Sequence, residues 1–86
     1  MFEIRLDRKA SAYVRRLDPG MQQRILETLA LISADPYGTH SKLLTNAGGR
    51  RSARVGDYRI VYSVDHGEQL VNVRTIGPRG RVYRDL

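Results

Sequence analysis

Arg50, Arg54, Arg59, Arg74, Arg79, Arg81, Tyr83 and Arg84 are the residues whose types and spacing could do chemistry together. Arginine and tyrosine suffice, in principle, to cleave RNA without a metal. The substrate carries its own nucleophile, the 2′-OH, beside the scissile phosphate. A protein has then to remove a proton, stabilise the charge of the pentacovalent phosphorane, and protonate or stabilise the leaving 5′-oxygen. Guanidiniums supply the charge stabilisation, worth about 3–4 kcal/mol per well-placed donor by analogy with oxyanion holes. Tyrosine can move a proton, but its reference pKa of about 10 is too high for a good base at neutrality. Flanking cations favour the phenolate, and Arg79, Arg81 and Arg84 surround Tyr83 in sequence. The alternative role for Tyr83 is a hydrophobic anchor of the last segment with its hydroxyl at the surface.

Other chemistries find little support. His40 and His66 lack companion ligands at metal-site spacing, so no metal and no other cofactor is expected. His66 reads most simply as a turn residue. Gly48-Gly49 is followed by Arg50-Arg51 and a strand rather than by a helix, which is not a phosphate-cradling loop. The acids are scattered, and no Ser/His/Asp set is suggested. The chain has no cysteine, which makes a reducing cytoplasm the simplest compartment. Residues 1–20 lack the apolar core of a signal peptide, and no apolar run approaches membrane-spanning length. The 86 residues allow one domain, 1–86, with a modest core. A net charge of +6 and a pI near 10.3 favour a polyanionic partner, either nucleic acid or an acidic protein. All the cations but Lys9 and Lys42 are arginine, whose planar fork suits phosphate contacts, although a GC-rich coding sequence also raises arginine.

The elements that must position these residues follow from periodicity. Tyr58 to Val64 and Gln69 to Ile76 alternate as strands, with His66-Gly67 as a two-residue hairpin loop. That loop would pair Tyr62 with Val71, Ile60 with Val73, and Arg59 with Arg74. Gly56-Asp57 reads as a second tight turn, extending the sheet to Arg50–Val55 and setting Arg54 opposite Arg59. Arg54, Arg59 and Arg74 would then line up across three strands on one face, with Arg50 and Ser52 beside them. Like charges directly opposite destabilise a sheet. The row is therefore either an anion-binding surface or a set of solvated arginines with Asp57 or Asp65 nearby.

Upstream, Phe2 to Leu6 alternates as a first strand. Asp7 can cap a helix from Arg8 to Leu17, with Ala10, Tyr13, Val14 and Leu17 on one stripe. Asp18-Pro19 stops it and starts a second helix to about Ala34. There Met21, Ile25, Leu29 and Ile32 form the stripe, and Leu26 and Leu31 widen it. Asp35-Pro36-Tyr37-Gly38 ends it, and His40 to Gly49 reads as a loop. The order β-α-α-β-β-β predicts an α+β domain: a helical hairpin on one face of a small, largely antiparallel four-stranded sheet. The arginines then occupy the other, open face.

These residues resemble the RelE/ParE superfamily of bacterial type II toxin–antitoxin toxins. The resemblance covers nearly the full length and is carried by RVGDYRIVYSV at Arg54–Val64 and IGPRGRVYRDL at Ile76–Leu86. It implies a RelE/ParE-like fold and a toxin that cleaves mRNA, in RelE-like members on the ribosome, thereby inhibiting translation. Carried over by position, Arg59 falls on the strand arginine that contacts the scissile phosphate, Arg79 on the transition-state arginine, and Tyr83 on the terminal tyrosine of proton transfer. Arg50 and Ser52 fall where RelE-like enzymes carry two lysines, and Pro78 where histidine is frequent. Arg50, Arg54, Arg74, Arg81 and Arg84 are the accompanying RNA-binding residues. The other half of the superfamily, ParE-like, inhibits DNA gyrase and generally lacks the ribonuclease set. A non-catalytic nucleic-acid- or antitoxin-binding module is a third reading. All three share an acidic antitoxin as expected partner, with mRNA and the ribosome added for the first.

Overall fold

The structure is a computed structural model that describes residues 1–45 and 48–78. Strand β1 (Glu3–Leu6) leads into helices α1 (Arg8–Arg16) and α2 (Pro19–Ala34). Strands β2 (Ser41–Leu43), β3 (Arg51–Val55), β4 (Tyr58–Asp65) and β5 (Leu70–Pro78) follow. They form one sheet in the order β1-β5-β4-β3-β2, antiparallel except that β1 runs parallel to β5. The fold is α+β, with both helices on one face.

The stop between the helices is built as its residues dictate. Asp18 caps α2, accepting a hydrogen bond from the Met21 amide at 3.2 Å, and Pro19 opens the helix where no amide is needed. Asp7 stands at the head of α1, but its side chain makes no capping bond there. Gln22 donates to the Val14 carbonyl at 2.8 Å and fastens α2 to α1. At the far end, the Phe2 amide donates to the Ser33 carbonyl at 2.8 Å and the Ser33 hydroxyl to the Phe2 carbonyl at 2.6 Å.

Ile25, Leu29 and Ile32 fall on the buried stripe of α2. They meet Ala53, Val55, Ile60, Tyr62, Val71, Val73 and Ile76, which alternate onto one side of the sheet. Tyr62 is fully buried and satisfies its hydroxyl on the Pro36 carbonyl at 2.7 Å. Leu26 and Leu31 do not widen the stripe. Each sits about 100° from it on the helical wheel and is mostly exposed.

Two expectations about the sheet are corrected. Among the described residues it has five strands, because part of the stretch read as a loop forms β2. Ser41, Lys42 and Leu43 pair with Ala53, Ser52 and Arg51, and the Leu44 amide reaches the Arg50 carbonyl at 2.8 Å. The β4–β5 connection is four residues long, not two, since Asp65 pairs with Leu70. The Asp65 carboxylate accepts from the Glu68 amide at 3.0 Å, and Gln69 takes the positive φ of 55° that had been expected of the His66-Gly67 turn. Tyr62 therefore pairs with Val73. A bulge between Val61 and Tyr62 then leaves Arg74 without an opposite residue, and Arg59 pairs with Gly77 rather than Arg74. The Gly56-Asp57 turn is as expected, with Gly56 at φ 60° and Arg54 opposite Arg59.

Candidate functional site

The face of the sheet away from the helices is organised in cross-strand rows. Arg54, Arg59 and Gly77 form one row, and Lys42, Ser52, Val61 and Thr75 the next. Extending the β2–β3 register by one residue on either side sets His40 opposite Arg54 and Leu44 opposite Arg50. Two side chains the sequence reading left out, His40 and Lys42, thus stand on the same face as the arginines. Gly48 and Gly49, at φ 63° and 82°, were the available signal: two adjacent glycines between Leu43 and Arg51 mark a strand reversal.

Arg54 and Arg59 line a cavity of about 210 Å³ together with Thr39, His40, Ser41, Lys42 and Ser52. Among these described lining residues three are cationic and none is acidic. The face is less open than expected. Arg59 is 8% exposed, Ser52 3% and Val61 0%. Arg59 is thus neither beneath the helices nor a solvated surface arginine. Arg54 remains exposed and donates from Nε to the Gly56 carbonyl at 2.9 Å, which turns its guanidinium back over the β3–β4 turn.

The other arginines gather elsewhere. Arg50 and Arg74 line a second cavity of about 360 Å³ with Asp7, Lys9, Ala10, Tyr13, Thr75 and Ile76. The bulge explains why Arg74 belongs here. It is the extra residue of β5, lets Thr75 pair with Val61, and extends its Nε to the Ser63 hydroxyl at 3.4 Å. Arg54, Arg59 and Arg74 therefore share a face but form no continuous row. Arg79, Arg81, Tyr83 and Arg84 lie outside the described residues.

Arg51, not singled out from sequence, points to the helix side. Its Nε donates to the Ser41 hydroxyl at 3.1 Å, and its guanidinium lies 5.8 Å from the Tyr37 ring centroid. His66 sits in the β4–β5 loop with its ring centroid 6.0 Å from Phe2 and 6.2 Å from Tyr37. Among the described residues, no group of three His, Cys, Asp or Glu side chains could hold a metal ion, and no helix is long and apolar enough to cross a membrane.

What such a surface can do follows from its charge. A desolvated guanidinium at Arg59, with the exposed cations Arg54 and Lys42 lining the same cavity, lowers the energy of an anion, and a phosphodiester matches the arginine fork. Comparison with known proteins gives the arrangement a context. A family model described as the ParE toxin of type II toxin–antitoxin systems matches residues 4–83. The toxin RelE of Mycobacterium tuberculosis is 38% identical over 50 residues, which is 58% of this chain and about half (52%) of that relative's length. Among solved structures, the archaeal RelE–RelB complex from Pyrococcus horikoshii is similar at a TM-score of 0.81 and 24% identity, covering 93% of this chain and 97% of that one. The RelBE2 toxin–antitoxin complex from Mycobacterium tuberculosis gives 0.79 at 25% identity, covering 91% and 98%. The intact RelBE complex of E. coli gives 0.81 at 20% identity, covering 91% and 96%.

Proposed function

Because this chain belongs to the RelE/ParE superfamily of type II toxin–antitoxin toxins, we propose that it is a metal-independent endoribonuclease acting on ribosome-bound mRNA. The observation that carries this reading is the cavity on the helix-free face. It sets Arg54, Arg59 and Lys42 around one small volume without a neighbouring carboxylate among the described lining residues. Arg59, nearly shut off from water, is suited to hold a scissile phosphate, since desolvation strengthens its attraction for the anion.

In this mechanism the 2′-oxygen attacks phosphorus, the P–O5′ bond breaks, and a 2′,3′-cyclic phosphate remains. Arg59 grips a non-bridging oxygen and Arg54 supports the strand beside it. Arg79 takes the role of transition-state arginine and Tyr83 that of proton-transfer group. Arg50 and Arg74 line the neighbouring cavity and offer a second place for the RNA backbone, with Arg81 and Arg84 as further contacts. The acidic antitoxin neutralises the same cationic face, and a cytoplasmic site of action follows from the substrate.

The family model's ParE name favours one competing reading, inhibition of DNA gyrase. A translating extract separates the two. Added protein should yield mRNA fragments ending in 2′,3′-cyclic or 3′-phosphate, undiminished by a brief EDTA treatment that leaves the ribosomes intact. Intact mRNA together with accumulated gyrase–DNA cleavage complexes would overturn the proposal.

A further inference from the structure

His40 has no part in the mechanism above, yet it lines the cavity that holds Arg54 and Arg59. Its Nε2 is buried and has no hydrogen-bond partner among the described residues. A buried polar atom without a partner costs free energy, and in a native fold it calls for an explanation, a bound group or a catalytic role among them. The ring is also seated closely. A Cβ on Gly38 would stand 2.8 Å from His40 Cε1 and 3.0 Å from Nδ1, so the glycine leaves the room that the imidazole takes. The charged residues that line the same cavity come from separate elements: Lys42 on β2, Arg54 on β3 and Arg59 on β4. Asp35, at the end of α2, stands beyond Gly38, its Oδ2 3.2 Å from the same Cβ position.

We infer that His40 is a further substrate-contacting residue, its Nε2–H donating to a non-bridging oxygen of a phosphodiester seated beside Arg54 and Arg59. The cations draw a phosphate group into the cavity, and the imidazole supplies the directional contact that a point charge lacks. Ser52, one row away and buried, lines the same cavity. Assigning the phosphodiester to single-stranded RNA rests on the functional reading above; the anion seat does not.

The chain has two histidines, His40 and His66, so imidazole ¹⁵N NMR can follow both. His66 lies in the β4–β5 loop beside Phe2 and Tyr37 and serves as the internal reference. The protein is titrated at constant pH with a short single-stranded RNA blocked by 2′-O-methyl groups, and separately with inorganic phosphate. The His40 Nε2 resonance should move with the binding isotherm of each, while the His66 ring stays in place. His40→Phe keeps a ring against Gly38 and removes the nitrogen. It should bind the blocked RNA about tenfold more weakly, as expected for one lost hydrogen bond to a charged group, with no fall in melting temperature.

A silent His40 at saturating phosphate, or wild-type RNA affinity in a folded His40→Phe, overturns the inference. The two proposals fail separately. A responsive His40 in a protein that does not cut RNA rejects the cleavage reading and keeps the seat. Cleavage with a silent His40 does the reverse.

Discussion

Arg54 and Arg59 stand directly opposite each other on neighbouring antiparallel strands, on the face away from the helices. Directly opposed like charges cost a sheet a few tenths of a kcal/mol to about 1 kcal/mol. Arg54→Ala should therefore leave thermal stability unchanged or slightly raised. In low salt the wild type should gain more stability from added salt than the variant does, since screening relieves the repulsion. Binding of blocked RNA should weaken, with the slope of log K against log[salt] reduced by about 0.7 for a lost phosphate contact on single-stranded substrate. An unchanged slope would remove Arg54 from the RNA path.

The catalytic assignment outside the described residues has its own test. Arg79→Ala should reduce single-turnover cleavage far more than it weakens RNA binding, because an interaction made only in the transition state lowers rate without lowering ground-state affinity. Tyr83→Phe should fold normally and cut slowly, with the pH–rate profile losing the limb that the phenol contributes. Equal losses of rate and binding in Arg79→Ala would make it a plain phosphate contact. Wild-type cleavage by Tyr83→Phe would return that ring to packing.

Tyr62→Phe isolates one buried hydrogen bond. The Tyr62 hydroxyl reaches the Pro36 carbonyl at 2.7 Å with the ring fully buried. Removing it leaves that carbonyl without this donor and should destabilise the fold by about 1–3 kcal/mol. Urea unfolding would show a lower midpoint at unchanged m. The bond ties the α2–β2 connection to β4, so the variant should also loosen the segment that carries His40.

Ile25→Ala tests the anchor of α2. Ile25 is completely buried against the sheet, and truncation should cost about 2–5 kcal/mol in lost burial and residual cavity. For a domain of this size that is a large part of the whole stability, of order 5–15 kcal/mol in proteins generally. The expected result is a protein partly unfolded near 37 °C, seen as lost amide protection across α2 and β3. Full protection there would show that the core closes over the gap.

Much of the scaffold was legible in residue order. Asp18-Pro19 marks the helix break because a capping carboxylate and a proline at the first helical position are local devices. Ile25, Leu29 and Ile32 reveal the buried stripe because helical periodicity acts over a few residues. Gly56 marks its turn because φ 60° suits a residue without Cβ. The shared face of Arg54 and Arg59 followed from that turn, since a two-residue connection leaves no freedom of register.

The remainder was decided at longer range. Gln69, not Gly67, takes the left-handed conformation, once the Asp65 carboxylate has bound the Glu68 amide. That choice lengthens the loop and slides β5 by two residues. The bulge at Arg74 adds a third, placing Gly77 beside Arg59 and sending Arg74 to the neighbouring cavity. Nothing in the composition of residues 69–78 distinguishes the two registers, because both keep the valines on the buried face. Pairing of Ser41–Leu43 with β3 is likewise non-local, as three residues carry too little periodicity to announce a strand. His40 and Lys42 gained their places only when that strand docked beside Ser52, Arg54 and Arg59, which the sequence had already brought to one face.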